Sequence, residues 1–197
     1  MHSPAGPASI LWRRVDRPGH EFARVAHDDG LWHVRGSAVF AEDDLPVRLD
    51  YSVECNAAWE TRSAAVTGWV GSTEVDVHVS AGPDGWRRNG ELVASVAGCV
   101  DVDLNFSPST NLLPLRRLDL AVGSEAVVRA AWLRFPSFTL EPLEQLYRRV
   151  APDTYEYESA GGGFRAELRV NTFSLPLVYG GWWVVETVAG GIEEGRN

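Results

Sequence analysis

Residues 46–55, PVRLDYSVEC, alternate without a break: Val47, Leu49, Tyr51, Val53 and Cys55 are apolar or aromatic, and Arg48, Asp50, Ser52 and Glu54 between them are polar. Successive side chains of a strand leave on opposite faces, so this run reads as a half-buried antiparallel strand. The same period continues on both sides. Residues 10–15 open it, Arg17-Pro18-Gly19 makes a turn, and 21–26 and 31–40 flank His27-Asp28-Asp29-Gly30 as a hairpin. Strands are expected at 61–69 and 74–80; Pro83-Asp84-Gly85 then turns into 86–88, and Asn89-Gly90 turns into 91–96.

Further along, 115–122 and 126–135 flank Gly123-Ser124 as another hairpin, and 154–158, 164–170 and 177–185 return to the β pattern, with Gly161-Gly162-Gly163 as a turn. One stretch has two readings. After Pro142, Leu143, Leu146, Tyr147 and Val150 recur at helical spacing and suggest a short helix over 142–149, while Leu140, Pro142, Glu144 and Leu146 alternate as a strand would. The expected fold is all-β and mainly antiparallel, with about a dozen or more short strands and at most one or two short helices. A sheet that wide curls or splits, so a spiral β-roll or barrel-like roll follows. There is no repeat and no low-complexity linker, so 1–197 reads as a single domain, with a core over about 10–186 and frayed ends at 1–8 and 190–197.

The formal net charge is −9, from 27 acidic and 18 basic residues, which weighs against nucleic acid or an anionic membrane as partner. All of the basic residues are Arg, a side chain suited to planar ion pairing. Eight Trp supply large apolar surfaces that each need a partner for the ring N–H. Cys55 and Cys99 cannot complete a four-thiolate metal site and read as free, buried thiols. No run approaches the ~20 apolar residues of a membrane-spanning helix. The opening residues lack the basic start and apolar core of a secretory signal, so a cytoplasmic location is expected.

The richest stretch for chemistry is 98–117, GCVDVDLNFSPSTNLLPLRR. Val100, Val102, Leu104 and Phe106 alternate with Cys99, Asp101, Asp103 and Asn105, giving a strand with one oily and one acidic face. If the next apolar run pairs with it as a hairpin, Arg116 and Arg117 lie beside the two carboxylates. Carboxylates, Asn and Arg hold hydroxyl-rich ligands, and aromatic faces pack against the apolar side. The expected site therefore has Asp101, Asp103, Asn111 and Arg116 at its polar end, joined by Arg62, and Trp59, Trp132 and Tyr147 as its wall. Paired Asp and Arg are also ordinary on a solvated sheet face, in which case the aromatics are plain core.

An enzyme is the alternative, using Asp101 and Asp103, whose backbones lie about 6.5–7 Å apart on one strand. An adjacent Arg keeps both ionised, which favours binding over general-acid work. No Gly-x-Ser-x-Gly occurs, His2, His20, His27, His33 and His78 are scattered, and the triple glycine is followed by alternating FRAELRV and not by a helix. No catalytic residue, metal site or cofactor is assigned. A packed scaffold is the third reading.

The blocks LWRRVDRPGHEFARV, WHVRGSAVF, LDYSVECNAAWETRSAAVTGWVG, DGWRRNGELV, GCVDVDLNFSPSTNLLPLRRLDL and AAWLRFPSFTLEPLEQLYRR together resemble the bacterial family called "putative glycolipid-binding", formerly a domain of unknown function. The resemblance runs from about Ile10 to Glu186, and the block around the two Asp is its most specific part. It implies a spiral β-roll shaped like periplasmic lipoprotein carriers and a small amphipathic ligand. It supplies no reaction and no catalytic residues, and the ligand is inferred from shape.

Overall fold

The computed structural model describes residues 6–190. Of the ends expected to fray, 1–5 and 191–197 lie outside the described residues, while Ala8 already opens the first strand. The first half of the chain is a run of hairpins: β1 (Ala8–Arg14), β2 (Gly19–Asp28), β3 (Leu31–Glu42), β4 (Leu45–Cys55), β5 (Thr61–Val70), β6 (Thr73–Gly82), β7 (Gly85–Arg88) and β8 (Glu91–Leu92). After a crossing segment come β9 (Asp101–Leu104), a helix α1 (Leu112–Leu118), β10 (Glu125–Arg134) and β11 (Thr139–Ala151). The chain closes with β12 (Thr154–Ser159), β13 (Phe164–Val170), β14 (Pro176–Tyr179) and β15 (Trp183–Gly190).

These strands form one fifteen-stranded sheet, in the order β8-β7-β6-β5-β4-β3-β2-β1-β15-β14-β13-β12-β11-β10-β9. Neighbours are antiparallel except β9 and β10, which run parallel. The chain thus starts mid-sheet, builds outward to one edge at β8, crosses to the opposite edge at β9, and returns inward until β15 pairs with β1. All-β architecture of the roll type is what the alternation implies, and tight two-residue turns make it possible. At the β2–β3 hairpin Asp29 and Gly30 both take positive φ, 48° and 77°, the backbone that matches the twist of the flanking strands.

Burial follows the sequence period. Ile10 and Trp12 of β1, Ala23 and Val25 of β2, Val34 of β3 and Val47, Leu49, Tyr51 and Val53 of β4 are buried, while the residues alternating with them lie on the outer face or only partly covered. The sheet curls far enough that β9 returns to β5: the Thr61 N–H donates to the Val100 carbonyl at 3.2 Å, and the Val102 N–H donates to Thr61 Oγ1 at 3.0 Å. As a result, β9 is covered on both sides. Val102 and Leu104 join a large cluster with Trp12, Leu49, Leu133, Phe173 and Leu175, and the middle of the roll is filled by Leu112 and Leu113 of α1. A smaller cluster of Leu115, Val128, Tyr147, Tyr155, Tyr157, Leu168 and Val170 lies among β10–β13.

Four local expectations are corrected. Residues 115–122 are not a strand, because Ser109–Asn111 form a 3-10 turn that runs straight into α1. The helix stops where Asp119 adopts a left-handed φ of 42° and its N–H caps the Leu115 carbonyl. Residues 142–149 are not a helix but the middle of β11, held on both sides by β10 and β12. Residues 91–96 yield only the short β8 and then a 3-10 turn at Ala94–Val96. Residues 177–185 divide into β14 and β15 around a Gly180-Gly181 turn.

Candidate functional site

The second face of β9 carries the two carboxylates, as the alternation requires, and both point away from the large apolar cluster. Asp101 is 1% exposed and receives a two-pronged hydrogen bond from Arg117, whose Nε and Nη2 lie 3.1 and 2.5 Å from its oxygens. Burial pushes the Asp101 carboxyl above its ordinary value and Arg117 pulls it back. The planar guanidinium fork matches a carboxylate edge, so this pair fixes α1 against β9.

Asp103 is different. It is half-buried, it has no cation at hydrogen-bonding distance among the described residues, and it accepts one bond, from Gln145 Nε2 at 2.6 Å. Burial with so little compensation pushes its carboxyl up to about 6. Gln145 Nε2 also donates to the Tyr157 oxygen at 3.0 Å, and the Tyr147 hydroxyl donates to Asn111 Oδ1 at 3.0 Å. The Asn111 amide in turn donates to the Pro108 carbonyl at 3.1 Å. Tyr147 and Tyr157 pack with ring centroids 5.0 Å apart, and Tyr157 sits 5.9–6.0 Å from both Phe164 and Tyr179. Phe164 and Tyr179 are only partly covered, so the aromatic wall reaches the surface there.

The structure brings Asp101, Asp103, Asn111 and Tyr147 onto one face. Trp132 is the register partner of Asp103 across the parallel ladder and is half-buried, with the Arg134 guanidinium over its ring. Arg116 turns the other way from Arg117. Its guanidinium lies over the Trp59 ring, 5.4 Å from the centroid, and 6.0 Å from that of Phe173. Trp59 belongs to the large apolar cluster and stacks on Trp32 at 4.3 Å, and Arg116 is packed against it.

Arg62 is a correction. It is exposed on β5 because the ladder to β4 bulges there: Cys55 pairs with Thr61 and Glu54 with Ser63, which leaves Arg62 as the extra residue, while Thr61 stays buried and its hydroxyl meets β9. The hairpin expected to deliver the arginines is also replaced by α1, from which Arg117 reaches the Asp101 carboxylate. Sequence reasoning missed Gln145 and Tyr157. Their signal was the odd phase of β11, with Gln145 and Tyr147, continued in β12 by Tyr155, Tyr157 and Ser159. Chemically, the face offers a fixed ion pair, one poorly compensated carboxylate, amide and phenol groups, and aromatic rings. None of the described residues form a cluster of three or more His, Cys, Asp or Glu suited to a metal ion, and Cys55 and Cys99 are free and buried.

A single curled, mainly antiparallel sheet with a polar and aromatic inner face defines a β-roll. The profile of the family described as "Putative glycolipid-binding" matches residues 9–184, and the chain belongs to that family. It is similar to the crystal structure of a DUF1089 family protein from Pseudomonas aeruginosa, with 28% identity, 92% of each chain covered and a TM-score of 0.70. No curated protein sequence matches it significantly. None of the described helices is long and apolar enough to cross a membrane.

Proposed function

We propose that this chain binds a small amphipathic ligand bearing hydroxyl groups, of the glycolipid class, against the face formed by β9, β11, β12 and α1. Asp103 carries the reading. A half-buried carboxylate with one amide partner retains free acceptor capacity, and a sugar hydroxyl supplies the donor it lacks. Gln145, Tyr157 and Asn111 orient the polar end, Trp132 and Tyr147 stand beside it, and Phe164 and Tyr179 offer aromatic faces toward the surface. Arg117 holds Asp101 in place and thereby holds the strand that presents Asp103. Family membership supports a binding role in the same coarse terms.

The enzymatic alternative would need both carboxylates free to exchange protons, and Asp101 is engaged by Arg117. The packed-scaffold reading predicts no saturable ligand at all. Octyl glucoside below its micelle concentration is a suitable probe, followed by intrinsic Trp and Tyr fluorescence, with native mass spectrometry of the freshly purified chain beside it. Saturable binding that weakens at least about fivefold in Asp103→Asn, where a charge-assisted bond becomes neutral, is the expected outcome. A flat titration together with a mass spectrum free of bound lipid overturns the reading.

A further inference from the structure

On the opposite, outer face of the sheet, Arg24 of β2 and Arg35 of β3 are direct cross-strand partners. Both are exposed, and neither has a hydrogen-bond or ion-pair partner among the described residues. Like charges placed opposite each other destabilise a sheet. Several other surface arginines meet carboxylates: Arg13 with Glu186, Arg48 with Asp50, Arg148 with Glu125 and Glu156, and Arg165 with Glu158. A chain with 27 acidic residues leaves this facing pair uncompensated.

The surroundings are built to match. The same transverse row continues to Ser9 on one side and Ser52 on the other. One row further, Ala26 faces His33, and the small methyl leaves a groove of about 460 Å3 bounded by Pro7 and the two arginines. Of the nearby carboxylates, Glu54 lies 3.5 Å from His33 Nδ1 and accepts the Ser63 hydroxyl at 3.1 Å, while Asp28 lines the same groove, four residues beyond Arg24 along β2, a backbone separation of about 13 Å.

We propose that this groove is a binding site for a tetrahedral oxyanion, a phosphate or a phosphate ester, clamped between Arg24 and Arg35. Arg24 and Arg35 stand opposite each other on neighbouring strands and line one groove, so their planar forks can share the oxygens of one phosphate group, and a bound anion turns their mutual repulsion into attraction. The site is separate from the proposed glycolipid face, because the two lie on opposite sides of the sheet.

The test is an NMR titration of the full chain, following the Arg Nε–Hε signals, with inorganic phosphate in one arm and monomeric dihexanoyl phosphatidic acid in the other. Saturable shifts at two Arg signals are expected at millimolar phosphate or below. Arg24→Gln and Arg35→Gln should each weaken binding at least tenfold, and Arg87→Gln, on β7, should leave it unchanged. Tighter binding of the lipid identifies a headgroup as the natural occupant, and equal affinity identifies a free anion; either supports the site. Absence of saturation with both probes, or binding that survives both replacements in folded protein, overturns it.

Discussion

Glu21 is fully buried on the inner face of β2, where its Oε1 accepts the Tyr51 hydroxyl at 2.6 Å and the Ser107 hydroxyl at 2.5 Å. Oε2 has no partner. Burial outweighs the two hydroxyls and pushes the carboxyl up to about 8. Below about pH 4.5 it is protonated in folded and unfolded chain alike; between there and pH 8 only the folded chain keeps the proton. Stability from this group is therefore lost as pH rises, by at most about 1.4 kcal/mol per unit. Glu21→Gln has no such loss, so its melting temperature relative to the parent should climb from pH 5 to pH 8; a constant difference would contradict the assignment. Tyr51 reaches Glu21 by crossing β3 over Gly36, where an added Cβ would strike the phenol and lie 2.5 Å from the Phe22 carbonyl oxygen. Gly36→Ala should cost about 1–3 kcal/mol in a urea titration. Asp103 works in the opposite functional sense. With its carboxyl at about 6, it accepts a ligand hydroxyl best when ionised, so glycolipid-probe affinity should rise from pH 5 to 7 and lose that rise in Asp103→Asn.

The helix α1 decides how the site is assembled. LLPLRRL reads equally as an apolar run or about two helical turns, and Pro114 is acceptable in a first turn, where its missing N–H leaves no bond unmade. What selects the helix is the burial of Leu112 and Leu113 in one cluster and Leu115 in the other. Helical rotation then sends the adjacent arginines to different partners, Arg116 to Trp59 and Arg117 to Asp101. Arg117→Ala strips the partner from a carboxylate that is 1% exposed and should cost about 3 kcal/mol by chemical denaturation. Asp101→Asn in the same background should recover part of that loss; no recovery would mean that the pair does not anchor α1. On β11 the two overlapping periods over 142–149 are resolved by ladder bonds to both neighbours, which a helix would forfeit.

Across the whole molecule, the two halves of the chain meet at the β1–β15 seam, far from the edges where each run of hairpins begins or ends. Trp12 is fully buried there, and its indole N–H donates to the Pro176 carbonyl at 2.5 Å, 164 residues away. Trp12→Ala should remove about 3–5 kcal/mol and split a single thermal transition into two, as the seam between β1–β8 and β9–β15 loosens; a single transition merely shifted downward would show that cooperativity resides elsewhere.

The strand periods were legible because inward and outward positions alternate within a few residues, and such local order needs no knowledge of partners. The same alternation exposed the Asp101–Asp103 face and the all-β roll. Partner choice was not legible, since it depends on which distant strand arrives alongside and in which phase: Thr61 in place of Arg62 at β9, Gln145 beneath Asp103, Arg117 in place of Arg116 on Asp101. Those choices follow from the curl of the sheet and the packing of α1, where burying the leucines on both sides outweighs the local preference of a short ambiguous segment.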